Sequence, residues 1–197
     1  MTAPATTPTV EPWLRGTRTE TPAVVHAVLH AIDLALENIA DSTSDLTIDE
    51  IDARPYGLAS IGLHIRHLTG ALDRSLTYAS GSGLSEAQFA ALAEEKAGQG
   101  IPREVLLEAL RASAARAIER LQVLDPAGFE ATRWIGRKRL ATTLGGIVVH
   151  IADHTQRHTG QVVSTAKLLR ACRHEILSQR MRQRIWTAAR KESARLA

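Results

Sequence analysis

With 197 residues, 44% of them hydrophobic and 23% charged, the chain can bury one substantial core and still carry a small appendage. Aromatic residues make up only 4%, so the core is built from Leu, Ile, Val and Ala, which favours packed helices over a β-sandwich. The net charge of +3 is concentrated at the end of the chain. Residues 171–197 hold seven Lys/Arg and two Glu, a net of +5, and the remainder is at −2. A nucleic-acid surface on the main domain gains nothing from this balance, and nucleic acid is not an expected partner.

No apolar run approaches the roughly 20 residues of a membrane span. The Thr/Pro/Ala-rich start lacks the basic and apolar regions of a secretory signal. The single cysteine, Cys172, allows no internal disulfide. Together these features imply a cytoplasmic protein without a membrane partner.

Residues 1–20 read as a strap. Pro4, Pro8 and Pro12 resist helix, and Trp13 is placed to anchor the segment on the body. Thr21-Pro22 predicts the start of the first long helix, with Thr21 as its cap. Val25, Leu29, Ile32, Leu36 and Ile39 form its inward stripe. His26, His30, Asp33 and Glu37 lie on the opposite face and read as solvated. Thr47-Ile48-Asp49-Glu50 is a capping box for a short helix that stops before Pro55. The second long helix is expected from Gly57 to about Tyr78, with Leu58, Ile61, Ile65, Leu68, Leu72 and Leu76 inward.

Ser85-Glu86-Ala87-Gln88 opens another small helix, through about Glu94, followed by a turn at residues 96–100. Pro102 begins the third long helix, which Asp125-Pro126 closes. Residues 129–140 are irregular or a short hairpin carrying Arg133, Arg137, Lys138 and Arg139 around Trp134. They read as a solvated loop or, more sharply, as a cationic lip over a pocket for an anionic substrate. Thr142 or Thr143 caps the fourth long helix, which is expected to run to about Leu169. A separate basic amphipathic helix follows from Arg173 to Arg195, with Leu177, Met181, Ile185 and Ala188 on one face. It is suited to packing on the body, to dimerisation or to an acidic surface. The division is therefore a strap (1–20), a four-helix bundle (21–170) and a basic tail (171–197), an all-α fold with short extra helices.

The chemistry concentrates in the fourth long helix. His150, His154 and His158 recur every four residues, so each step drifts about 40° around the axis and climbs about 6 Å. Two adjacent imidazoles can hold one metal, but all three cannot, since the outer pair is about 12 Å apart along the axis. Leu144, Ile147, Ile151, Thr155, Val162 and Leu169 define the inward direction. His158 lies along it, His154 about 60° off and His150 about 100° off. Two imidazoles at chelate spacing, both turned into an aliphatic interior, need a partner, and a metal satisfies both. A third ligand is available in Ser60-Ile61-Gly62-Leu63-His64-Ile65-Arg66-His67-Leu68, where helical periodicity mildly prefers His64 to His67. Three neutral imidazoles leave an open position, the layout of a catalytic site, where a metal lowers the pKa of a bound water or thiol.

These residues carry a resemblance. Glu11-Pro12-Trp13-Leu14-Arg15-Gly16-Thr17, His64-Ile65-Arg66-His67 with Asp73-Arg74 and Thr77-Tyr78, Gly136-Arg137-Lys138-Arg139-Leu140, and above all His154-Thr155-Gln156-Arg157-His158-Thr159-Gly160-Gln161 resemble the DinB/YfiT-like family of metal-binding four-helix bundles. The similarity spans roughly Glu11 to Leu169. Where the more widespread form of the last block has Arg, this chain has Thr159.

The resemblance implies a divalent metal, often zinc or nickel, held by His67, His154 and His158. It places the second-helix ligand at His67 rather than His64. His64, His150 and Gln161 then become neighbours of the ligands or of a bound substrate. It also implies a thiol-dependent transferase-like activity, in which the metal activates a low-molecular-weight thiol toward a small-molecule substrate; on the cationic-lip reading of the residues, Arg133, Arg137, Lys138 and Arg139 would hold anionic groups of that thiol. A homodimer is expected. Two other readings stand beside it: a metal-dependent hydrolase, for which no general base is evident, and a non-catalytic metal-binding or stress-response module.

Overall fold

The computed structural model describes residues 10–193. The strap prolines Pro4 and Pro8, and the tail side chains Leu177, Ile185 and Ala188, fall outside the described groups. Four long helices form the bundle: α1 (Ala23–Ser42), α3 (Ile61–Ala79), α5 (Arg103–Leu121) and α6 (Leu144–Ser193). Two short helices, α2 (Ile48–Asp52) and α4 (Glu86–Ala97), lie in the connections. A small antiparallel hairpin of β1 (Thr132–Ile135) and β2 (Leu140–Thr143) leads into α6. α6 packs on α1 and α3, and α3 packs on α5 and α4. The core is aliphatic, with Leu29, Ile32, Ile39, Ile65, Leu121 and Ile151 among its fully buried side chains. The all-α bundle expected from composition and periodicity is the observed one.

Both capping boxes form. Thr47 and Ser85 each accept from the backbone three residues on, and Glu50 and Gln88 reach back to the cap N–H. The start of α3 differs from the expected Gly57. Gly57 has φ +81°, Leu58 and Ser60 are extended, and the Ser60 hydroxyl accepts from Leu63 N–H at 3.2 Å. A side-chain cap of this kind sets the first helical residue, so α3 begins at Ile61 and Leu58 is 48% exposed. Thr21 does not cap α1. Pro22 occupies that position, and the Thr21 hydroxyl donates to the Arg18 carbonyl instead.

The strap crosses α1, and this overturns the solvated reading of the face opposite the stripe. Arg15 pairs with Glu37, and Arg18 holds Asp33 through two bonds of 3.0 Å. His30 is only 3% exposed and meets the Thr17 hydroxyl at 3.2 Å. The His26 ring contacts the Thr17 carbonyl at 2.8 Å. Trp13 is not the anchor; it is 60% exposed, and Pro12 is the buried residue of that turn. By length and composition α1 is apolar enough to cross a membrane, contrary to the expectation that no segment would be. Val25, Val28, Leu29, Ile32 and Ile39 nevertheless belong to the bundle core, and the strap engages the polar face of α1 through Glu37, Asp33 and His30.

The expected break near Leu169 is absent, and α6 is one continuous helix of 50 residues. No glycine or proline follows Gly160 in it, and nothing else in the segment stops a helix. Arg170 and Arg173 fasten it to the body through Asp45 and Glu50, with Arg173 donating to the Glu50 carboxylate at 2.7 Å. Beyond that clamp the helix continues with Ile176 and Met181 exposed.

Candidate metal centre

Ser60 as cap and the unbroken register of α3 put His64 and His67 in its first two turns, facing the middle of α6. There the Nε2 atoms of His67 and His154 are 3.2 Å apart. Ring centroids are separated by 4.5 Å for His154–His158, 4.7 Å for His67–His158 and 5.0 Å for His67–His154. One nitrogen from each of the three lies within 4.8 Å of the others. Tetrahedral ligation at metal–nitrogen distances near 2.05 Å requires nitrogens about 3.3 Å apart, and the His67–His154 spacing already meets that. The structure therefore brings together His67, His154 and His158, the set that the family resemblance implies and not the one that periodicity mildly preferred.

The rings are prepared to act as neutral donors. Burial, followed by repulsion from His67 and His150, lowers His154 to about 4. Burial and the neighbouring imidazoles lower His158 to about 4 as well. Both therefore keep a lone pair at neutral pH, as a metal requires. His64 is buried and its pKa is lowered chiefly by that burial. Its Nδ1 lies 3.0 Å from His158 Nδ1, so His158 keeps Nε2 for a ligand bond. His64 thus serves the cluster through His158.

A residue absent from the sequence-based set completes the arrangement. Glu95 of α4 is only 7% exposed and receives the Nδ1–H of His67 at 3.0 Å. The His67 ring is thereby oriented with its Nε2 toward the other imidazoles. Arg74 of α3, itself buried, donates to the same carboxylate from its two terminal guanidinium nitrogens. Burial opposes the charge on Glu95, but the bonds from His67 and Arg74 outweigh it and hold the carboxyl below its usual range. Gly70 makes the approach possible, because a Cβ there would collide with both the Glu95 carboxylate and the Arg74 guanidinium. The sequence pattern ends the small helix at about Glu94; it runs to Ala97, which places Glu95 on its inner face. Arg74 is within reach of sequence reasoning, since Asp73-Arg74 belongs to one of the motifs that carry the resemblance.

A cavity of about 340 Å³ opens directly on the cluster, lined by His67 and His154 together with Arg74, Tyr78, Ile135 and Ile147. His150 is exposed at its rim, with its ring centroid 5.3 Å from that of His154. Gln161 is exposed on α6. The four basic residues of the hairpin separate into different roles. Arg133 donates to the Ala79 carbonyl at 2.6 Å and to the Thr132 carbonyl at 3.0 Å, ties that hold the hairpin to the end of α3. Arg137, Lys138 and Arg139 are exposed on the turn.

The titration of the cluster has a consequence for stability. His154 and His158 stay neutral in the folded chain down to about pH 4, but ionise near 6.5 once unfolded. Between these values the unfolded chain binds more protons, so stability rises with pH across the window and is lost as pH falls through it. His30 and His64, also lowered mainly by burial, act in the same sense. The melting temperature of metal-free protein is expected to fall progressively from pH 6.5 toward 5 and to stay flat from 7 to 8. Calorimetry showing no change between pH 7 and 5 would contradict the assigned ionisation states.

A family model for the DinB superfamily matches residues 14–162. Comparison with curated proteins returns no match. The matched span contains α3, the hairpin and all three histidines of the cluster, and the chain belongs to the DinB superfamily.

Proposed function

We propose that this protein is a metal-dependent transferase-like enzyme that activates a low-molecular-weight thiol toward a small electrophile. The observation that carries the reading is the open side of the cluster: two of its three imidazoles line a cavity large enough for a small organic molecule. His67, His154 and His158 would hold the ion, and an all-imidazole set suits zinc or nickel. Such an ion, when bound, lowers the pKa of a coordinated thiol so that the nucleophile forms near neutral pH. Glu95 orients His67, His64 orients His158, and the aliphatic and aromatic wall of Ile135, Ile147 and Tyr78 restricts water around the reacting group.

The chain's carboxylates favour this reading over the hydrolase. Glu95 is already committed to Arg74 and His67. Asp153 is exposed and bound by Arg157 at 2.6 Å. Neither is placed to activate a water in the cavity. The cavity itself favours catalysis over a closed, purely structural site.

Metal-loaded protein, assayed with a panel of cellular thiols and small electrophiles, is expected to turn over only when a thiol is present. Equal turnover without thiol would move the assignment to hydrolysis. The same preparations, studied by sedimentation, should show the homodimer expected from the sequence.

A further inference from the structure

The hairpin turn carries a second cavity that the metal centre does not use. Its volume is about 280 Å³, and it lies between the 81–84 loop, Phe89 of α4 and the hairpin turn. Arg137 lies over the Phe89 ring at 4.8 Å, and Arg139 lies over the Trp134 ring at 5.1 Å. Both arginines line the cavity, and neither has a carboxylate within ion-pair distance among the described residues. A guanidinium held over an aromatic ring makes a cation–π contact that uses none of its hydrogen-bonding capacity toward anions, so its N–H fork can still receive a carboxylate or phosphate. Arg139 also has φ +49°, in the left-handed region that a non-glycine residue enters at a cost. Gly136, at φ +68°, closes the same turn through the Arg139 N–H to Gly136 carbonyl bond of 3.0 Å.

The two cavities are neighbours. Tyr78 lines both, and the hairpin supplies Ile135 to one and its turn to the other. We propose that Arg137 and Arg139 form an anion subsite for the carboxylate or phosphate end of a small ligand whose reacting end lies at the histidine cluster. The subsite stands on the hairpin geometry alone. Its link to the reacting end rests on the function proposed above.

Titration of the full-length, metal-loaded protein with citrate and with inorganic phosphate, followed by calorimetry, tests the subsite. Saturable binding is expected, and the tighter of the two probes distinguishes a carboxylate-bearing from a phosphorylated ligand. Arg137→Ala combined with Arg139→Ala is expected to weaken it by at least about 10-fold, the scale of one lost charge-assisted bond. The corresponding double lysine variant, which keeps charge and loses the fork, should fall between. Lys138→Ala, on the same turn, should change affinity by less than about 2-fold, since long-range charge alone is weakly felt at physiological salt.

Absence of saturable binding, or equal affinity in the double alanine variant, would overturn the subsite. The link is read separately in cobalt-substituted protein. Glutathione, a thiol with two distant carboxylates, should lose at least about 10-fold in affinity in the double alanine variant, and uncharged 2-mercaptoethanol should not. If glutathione perturbs the cobalt spectrum equally in both proteins, the shared-ligand proposal fails. If no thiol perturbs it, the thiol reading fails instead, and the citrate and phosphate titrations still decide the subsite.

Discussion

His154→Ala is expected to abolish stoichiometric metal binding and, with it, any thiol-dependent turnover. His154 Nε2 is 3.2 Å from His67 Nε2, and its ring also adjoins His158, so its removal leaves only two imidazoles of the candidate site. Removing a residue that only supports a ligand lowers affinity by about 10–100-fold; removing the ligand itself should exceed about 100-fold. Elemental analysis and chelator competition give this number directly. His67→Ala should behave alike, and His64→Ala should fall in the 10–100-fold range of a supporting residue. Full metal retention in His67→Ala, with loss in His64→Ala, would exchange the roles assigned to the two α3 histidines. Because burial disfavours the charged forms of His154 and His158, His154→Ala should not unfold the metal-free chain. Circular dichroism of the apo variant separates ligand loss from fold loss.

Glu95→Ala is expected to affect stability and metal affinity together. The substitution leaves the Arg74 guanidinium buried without its carboxylate. Breaking a buried ion pair from one side typically costs about 3–5 kcal/mol, and both partners are buried here, Arg74 at 9% and Glu95 at 7% exposed. The same change frees His67 Nδ1, so the ring is no longer held with Nε2 toward His154. Metal affinity should then drop by about 10–100-fold.

Glu95→Gln separates the two effects. Its carbonyl can still accept from His67, so orientation is largely kept, but the charge opposite Arg74 is lost. The expected outcome is a stability loss close to that of alanine with a smaller loss of affinity. Gly70→Ala approaches the same triad from the opposite side, since its Cβ would displace the carboxylate and guanidinium without deleting either. Denaturant unfolding and metal competition on all three variants provide the check. Unchanged metal affinity in Glu95→Ala would remove Glu95 from the centre and leave it a purely structural partner of Arg74.

Histidine spacing on α6 and the aliphatic stripe beside it suffice to locate the chemistry near His154 and His158. Those are local facts: a helix of known pitch converts intervals of four into one face. The four amphipathic segments and the two capping boxes are legible for the same reason, because each depends on residues within one or two turns. The resemblance adds His67. Periodicity alone leans toward His64, since it reports burial, and His64 is indeed the more buried of the two.

What tertiary structure decided involved partners far apart in the chain. The strap buried His30 and neutralised Asp33 and Glu37, residues that α1 taken by itself presents as a solvated face. α4 delivered Glu95 to a histidine 28 positions earlier, and nothing within its own helix marks that carboxylate for burial. The separation of Arg133, bound to Ala79, from Arg137 and Arg139, which lie over Phe89 and Trp134, depends on how the hairpin lands on α3 and α4. Sequence periodicity specifies which way a side chain leaves its own helix. Whether another element covers it, pairs it or leaves it to the cavity depends on the packing of the whole chain.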